Sequence, residues 1–490
     1  MKFNTIIAKN TDIRLIQISE INGLHFVSVL FLLLTLSMTS PLAITAGLNE
    51  QNAAYEKEFL PRRAFIGVQL LNNTDSIAQL NKMNEPIGVF VVDLSEGGSA
   101  AEIGLQAGDI ILEANGYKAT EVYSFIDYIA RYQKDDEISL IIIRDGIELQ
   151  LSGKAKGFPS ETSPYAEVIY DQIPFQDGHV RTIIHKPHTP GKHPVLFFIQ
   201  GYPCTSIDNM GEYHPYTKLL EGFSKRGYVV VKTEKAGMGD SRSSRTCADV
   251  TLMEETALFS ASYNSLTNYD FVDLDNVFVF GHSMGGVQAP MMDFDFDPRG
   301  IIVFGTAVRP WFEYLIEQTR IQRLLLGQDY LENEATHEQS IRFYYRFMIE
   351  KETPEALKQD PEMADFLDRY WQYDKGGFMN GRHYTFWHQL QDTRLFNAWS
   401  EVNAHVLSLH GEGEYVAFNP WEHELIADIV NHYNPGMATY LRVPNVDHGF
   451  IYVNDIEHAV AIRNDRQYRM NNIHTGIADL IVDWMDEIKH

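Results

Sequence analysis

Cysteine is almost missing from this chain: 490 residues contain two, Cys204 and Cys247. That excludes a disulfide-rich scaffold and any cysteine-built metal cluster. No H-E-x-x-H run occurs, and His185, His188 and His193 lack metal-ligand spacing, so the sequence gives zinc hydrolysis no support and no metal site is expected. Gly237-Met238-Gly239 begins a dinucleotide fingerprint without its third glycine, and no P-loop is present, so no cofactor is expected either. Basic residues are scarce. Forty Lys and Arg face 66 Asp and Glu, a net charge of −26, which excludes nucleic acid as a partner because phosphate binding relies on Lys and Arg clusters. What is plentiful is core material: 44% hydrophobic residues, enough for about three units at roughly 150 residues each.

Charge is also missing from Asn22 to Asn49, a stretch centred on Phe26-Val27-Ser28-Val29-Leu30-Phe31-Leu32-Leu33-Leu34. Lys2, Lys9 and Arg14 precede it and Glu50, Glu56 and Glu58 follow, the charge order that sends the rest of a chain outward. Residues 1–46 therefore read as a signal peptide or membrane anchor, and 47–60 as a linker. The expected location is periplasmic or extracellular. Small residues from Ala43 to Gly47 point to cleavage, and a membrane is a partner only if the segment stays.

The most informative feature is Gly281-His282-Ser283-Met284-Gly285-Gly286, directly behind the apolar run Val277-Phe278-Val279-Phe280. A G-x-S-x-G between strand and small-residue helix lifts a serine hydroxyl clear of a sheet on a tight turn. On such a fold the partners follow in the order acid, then histidine, each after a later strand. Ala404 to Leu409 reads as a buried strand running into His410-Gly411-Glu412-Gly413-Glu414, with Glu414 as the acid and Glu412 as its competitor. Ala438 to Val443 reads as the last strand, and His448 follows it in the loop from Pro444 to Phe450. A serine hydroxyl is a poor nucleophile until an imidazole accepts its proton, and a carboxylate holds that imidazole in the right tautomer. His448 and Glu414 fit those roles for Ser283. Oxyanion charge needs two N–H groups: Met284, after the nucleophile, and Tyr202, in the glycine turn that ends the strand before Gln200-Gly201-Tyr202-Pro203.

Residues from about Ala166 onward resemble an α/β-hydrolase, in particular secreted or periplasmic esterases and peptidases fused to a PDZ domain. The likeness rests on Phe198-Ile199-Gln200-Gly201-Tyr202, Glu234-Lys235-Ala236-Gly237-Met238-Gly239-Asp240-Ser241, Gly281 to Gly286, and Asp447-His448-Gly449-Phe450. One position departs from it: similar sequences more often carry Asp where Glu414 stands. The resemblance implies hydrolysis of a small ester, amide or peptide through an acyl-serine. It also implies that Cys204 and Cys247, in loops at the carboxyl edge of adjacent strands, pair outside the cytoplasm, two free buried thiols being the other possibility.

Between Pro61 and Gly157 the chain changes to short strands and one helix, and Ser99-Ala100-Ala101-Glu102-Ile103-Gly104-Leu105-Gln106-Ala107-Gly108-Asp109-Ile110 resembles bacterial PDZ domains. Strands are expected at 64–68, 88–92, 110–116 and 138–146. The resemblance implies that Phe65, Ile66 and Gly67 form a loop that captures a peptide C-terminus, with a helix around Val122 to Tyr132 as the other wall. Residues 158–165, with Pro159 and Pro164, mark a linker to the hydrolase unit at 166–490.

After Gly300-Ile301-Ile302-Val303-Phe304-Gly305 about 100 residues precede the Glu414 strand, too long for a loop. The aromatic-rich stretch at about 307–400 fits a helical cap, its rings mostly core, with Arg382, His383 and Tyr384 as residues that could reach substrate. The expected architecture is thus α/β, a capped hydrolase sheet behind a small α+β domain. The competing class is a non-catalytic peptide-binding protein of the cell envelope with the same folds.

Overall fold

The structure, a computed structural model, describes residues 60–489, so the expected export segment and its linker lie outside the described residues. No described helix is long and apolar enough to cross a membrane.

The first unit is built on β1 (Val68–Asn72), β2 (Val89–Leu94), β3 (Ile110–Ala114), β4 (Tyr117–Lys118), β5 (Glu137–Arg144) and β6 (Ile147–Lys154). They form an antiparallel sheet in the order β1-β2-β3-β5-β6, with β4 on β3. In β5 every second side chain, Ile138, Leu140 and Ile142, is buried against Val89, Val91, Ile111 and Phe125, the period-2 pattern of a sheet with one wet face. The strand expected at 64–68 begins only at Val68. Gly67 has φ 72°, and a Cβ there would lie 2.7 Å from Gly98 Cα, so the chain turns where pairing was expected. β6 escaped sequence reading because none of its residues is fully buried and no apolar run marks it.

The second unit comprises β7 (Ala166–Phe175), β8 (Gly178–Pro187), β9 (His193–Ile199), β10 (Val229–Thr233), β11 (Val272–His282) and β12 (Gly300–Phe304). A helical insertion follows, holding the hairpin β13 (Phe378–Met379) and β14 (Arg382–His383), and then β15 (His405–Gly411) and β16 (Ala438–Val443). The eight-stranded sheet runs β16-β15-β12-β11-β9-β10-β8-β7. It is parallel from β16 to β10 and closes with the antiparallel β8 and β7, an α/β-hydrolase sheet. Its central strands are buried on both faces. In β9, Val195, Phe197 and Ile199 face one core with the helix Leu252–Asn264, while Leu196 and Phe198 face another with Pro215–Lys225 and Gly476–Ile488. The chain leaves β9 toward β10 on one side and returns to β11 on the other, which opens a crevice at their carboxyl ends.

The stretch 158–165 is held at Phe158 and Glu161. Glu161 shares a hydrogen bond with His185 (2.8 Å), accepts from the Asn209 amide (2.6 Å) and pairs with Lys232. Beside it, Arg62 donates to the Phe158 carbonyl and pairs with Asp208 (2.7 Å) and Asp240, and the Arg63 amide donates to Asp240 (2.9 Å). Ion pairs thereby link the first unit to the second beside this connection.

Candidate active site

β11 ends in His282, level with Phe304 of β12, and Ser283 follows with φ 55° and ψ −119°. That backbone is sparsely populated for a residue with a Cβ and costs on the order of 1–3 kcal/mol, so the surroundings must enforce it. They do. The Ser283 amide donates to the Phe304 carbonyl (2.9 Å), and a Cβ on Gly285 would press into the Ile199 carbonyl oxygen, so only glycine lets the short helix Met284–Gln288 close against β9. The serine side chain is left partly exposed at the crevice.

Glu414 and His448 meet: His448 Nδ1 and Glu414 Oε2 are 2.7 Å apart, the carboxylate fully buried and the ring 17% exposed. Glu414 Oε1 also accepts from the Val416 (2.8 Å) and Ala417 (3.0 Å) amides, which fixes the carboxylate. Burial alone would raise its pKa, but the His448 charge and hydrogen bond outweigh burial and hold it below the ordinary carboxylate range. Burial likewise opposes charge on His448, and Glu414 reverses that too, raising the imidazole above its usual 6.5. Glu412 points elsewhere, on the surface 3.5 Å from Arg442. Gly305 is the floor of the pair, since a Cβ there would lie 2.8 Å from both Glu414 Oε2 and His448 Nδ1. The ring is tied to the elbow through the backbone: His282, the residue before Ser283, shares a 2.9 Å hydrogen bond with the His448 carbonyl. The hydrogen bonds of His448 run to Glu414 and His282; the contact between base and serine hydroxyl is often long in an unliganded site and tightens around substrate.

The loop carrying Tyr202 has its direction set from below. Lys235 Nζ donates to the carbonyls of Gly201 (2.7 Å) and Tyr202 (3.1 Å), and an Arg382 guanidinium N–H donates to Tyr202 (2.9 Å). In a trans peptide the N–H points opposite to the preceding C=O, so anchoring Gly201 O on Lys235 turns the Tyr202 amide away from that cation. A Cβ on Gly201 would lie 3.3 Å from Ser283 Cβ, which puts this turn beside the serine. Both cations are held by Glu255, at 3.3 Å from Lys235 and 2.7 Å from Arg382, all three side chains fully buried. Burial presses Lys235 down to about 7, Glu255 opposing it. Arg382, fully buried, is therefore corrected from a substrate-reaching residue to a strut between the hairpin β13-β14 and the Gly201-Tyr202 turn. Glu255→Gln leaves two buried cations without their counter-charge, and urea unfolding should show a loss of about 3–5 kcal/mol.

Cys204 and Cys247 form a disulfide, with Cα atoms 5.6 Å apart. The Cys247 carbonyl accepts from Arg382 (2.7 Å), so the bridge ends on the same strut. Closing a loop with a sequence separation of 43 gives roughly 4 kcal/mol by chain entropy. Denatured, unreduced protein should titrate as containing no free thiol, and two thiols would disprove the bridge.

Ser283, Tyr202 and Met284 open on a cavity of about 380 Å³ under the cap, walled by Trp311, Tyr314, Trp371 and Trp387. Among the described residues no group of His, Cys, Asp and Glu is arranged to hold a metal ion.

In the first unit, the Phe65 amide already donates to the Lys156 carbonyl (2.7 Å), so Phe65 is corrected as an amide donor for a peptide carboxylate. Ile66 and Gly67 remain in the loop, next to β1, which pairs only with β2 and leaves its other edge toward the helix Val122–Ile129.

Residues 64–154 match the PDZ-domain family. The chain thus couples a PDZ domain to an α/β-hydrolase fold. A curated relative described as a periplasmic serine endoprotease, DegP-like, from Pseudomonas savastanoi pv. phaseolicola, is 29% identical over 106 residues, 22% of this chain and 22% of its own. A second of that description, from Halomonas elongata, is 30% identical over 84 residues, 17% of this chain and 18% of its own. The chain spans about a fifth of the length of these relatives. Among solved structures, Est1E from Butyrivibrio proteoclasticus is 15% identical, with 62% of this chain and 99% of that chain covered and a TM-score of 0.37. The acylaminoacyl peptidase of Pyrococcus horikoshii is 12% identical, with 73% and 46% covered and a TM-score of 0.40.

Proposed function

We propose that this chain is an exported serine hydrolase that cleaves carboxylic esters through an acyl-serine intermediate. The observation that carries the reading is the buried Glu414 bonded to His448 beside a strained Ser283 elbow. In the proposed reaction Ser283 Oγ attacks the ester carbonyl as His448 takes its proton, and the Tyr202 and Met284 amides bind the oxyanion. Collapse expels the alcohol, which leaves with the proton from His448. Water then repeats the sequence on the acyl-serine, releasing the acid and restoring Ser283. Glu414 keeps the imidazole in the tautomer that presents its free nitrogen to the serine.

An ester is favoured over a peptide with a free N-terminus because the cavity is walled by aromatic rings and no carboxylate lines it among the described residues to pair with an ammonium group. Export agrees with the uncharged segment from Asn22 to Asn49, with the disulfide, and with the periplasmic description of the curated relatives. The PDZ domain is proposed to take a peptide C-terminus on the amides of Ile66 and Gly67. Short p-nitrophenyl esters assayed against aminoacyl-anilides test the reaction class. Turnover of esters with anilides inert is expected; anilide hydrolysis at comparable kcat/KM would make it a peptidase, and inactivity on both would sink the catalytic reading.

A further inference from the structure

One face of the helix Trp311–Leu325 forms a wall of the cavity from end to end. Trp311, Tyr314, Leu315, Gln318 and Gln322 recur at the spacing of a single helical stripe, Arg323 joins the lining from the flank of that stripe, and at 1.5 Å per residue Trp311 and Arg323 are about 18 Å apart along the axis. Trp311 is on the lining shared with Ser283, and its buried indole N–H has no hydrogen-bond partner among the described residues. Past the aromatic walls the lining turns polar but neutral at Gln318 and Gln322.

Arg323 is the one charged residue lining the cavity among the described residues. Its guanidinium carbon lies over the Tyr370 ring, 4.0 Å from the centroid. Neighbouring arginines pair with acids, Arg309 with Glu422 (2.7 Å) and Arg320 with Glu334, yet no ion pair among the described residues engages Arg323. In a chain with 66 acidic residues a partner was abundantly available. A cation–π contact of this kind uses the charge but none of the N–H donors, which are the part of a guanidinium that pairs bidentately with a carboxylate.

We infer that this cavity selects elongated esters whose apolar or aromatic body ends, away from the scissile bond, in a carboxylate that Arg323 binds. The inference rests on the proposed hydrolase reading and names its substrate class. The test pairs p-nitrophenyl monoesters of α,ω-dicarboxylic acids with p-nitrophenyl alkanoates of equal length, over a series of lengths. At the matching length the acid-ended ester should be preferred roughly 10- to 100-fold in kcat/KM, the range of a charge-assisted hydrogen bond. Arg323→Gln should bring that ratio close to one, and Arg323→Lys should keep part of it. A ratio that Arg323→Gln leaves unchanged overturns the inference.

Binding separates its failure from that of the catalytic reading. Tryptophan fluorescence of Ser283→Ala, reporting from Trp311, Trp371 and Trp387, is titrated with a long dicarboxylic acid and with its monoacid analogue. If no ester is turned over but the dicarboxylic acid binds more tightly and loses that advantage in the Ser283→Ala, Arg323→Gln double variant, the selectivity stands and the reaction falls. Absence of any Arg323-dependent difference in both turnover and binding overturns it outright.

Discussion

Ser283→Ala abolishes labelling by a fluorophosphonate probe and lowers kcat on the preferred ester by a factor on the order of 10⁶, the loss that follows removal of a nucleophile acting in concert with its base. The fold survives the change. Alanine carries the same Cβ into the φ 55° turn, and the short hydroxyl is the only group removed, so the unfolding free energy should move by no more than about 0.5 kcal/mol. That combination separates the readings, because a binding protein with a hydrolase-like fold would not label in the first place. Labelling that persists in Ser283→Ala would place the reactive group elsewhere and sink the assignment of this elbow.

Ser283 and Glu414 were legible because each follows a strand whose final run is apolar and covered on both faces, whereas His448 follows an edge strand, β16, whose residues are mostly half-buried or exposed, and was marked by its place in the loop after that strand. β11, β15 and β16 end just ahead of Ser283, Glu414 and His448, and parallel pairing puts all three ends on one edge. Choosing between Glu412 and Glu414 was beyond periodicity. The two acids part at a tight turn, in which the Glu414 amide returns to the Gly411 carbonyl (3.1 Å) and brings the second acid back against Gly305 while the first stays outside with Arg442.

The strut beneath the Gly201-Tyr202 turn was illegible for a different reason. Glu255 sits in the first turn of a helix with Glu254, where acids are favoured by the helix dipole and read as solvated, and its partner Arg382 is 127 residues away on a two-residue strand. No local pattern reports such a contact. The carboxylate nevertheless belongs to the site, since it is what lets two cations sit fully buried under the Gly201 and Tyr202 carbonyls. Helical insertion, disulfide and the Gly201-Tyr202 turn meet at this one ion cluster. Cap sequence can therefore vary at the cavity wall, where Arg323 lies, without touching the donors proposed to stabilise the transition state.

Glu414→Gln is expected to cut kcat/KM by a factor on the order of 10⁴ and to shift its pH dependence, two effects with one cause. The amide keeps the shape of the carboxylate but removes its charge, and it can present an N–H where the imidazole needs an acceptor, which favours the wrong tautomer. In the unaltered protein Glu414 raises His448 above 6.5, and the base must be neutral to accept the serine proton. The acid limb of kcat/KM should therefore lie above pH 6.5, with activity rising as pH climbs through it. With glutamine at 414 burial is opposed by the smaller effect of the Asp447 charge alone, and the limb should move to lower pH. Stability runs the other way. A histidine raised by folding adds stability that is fully present below its unfolded value near 6.5 and is lost as pH rises through the folded one, so the unaltered protein should lose part of its unfolding free energy across that window while Glu414→Gln does not. Urea unfolding at a series of pH values reads the stability difference, and initial rates on one ester read the limb. If the limb stayed in place in Glu414→Gln, the 2.7 Å contact to His448 would not be what sets the base, and Glu414 would lose its proposed role.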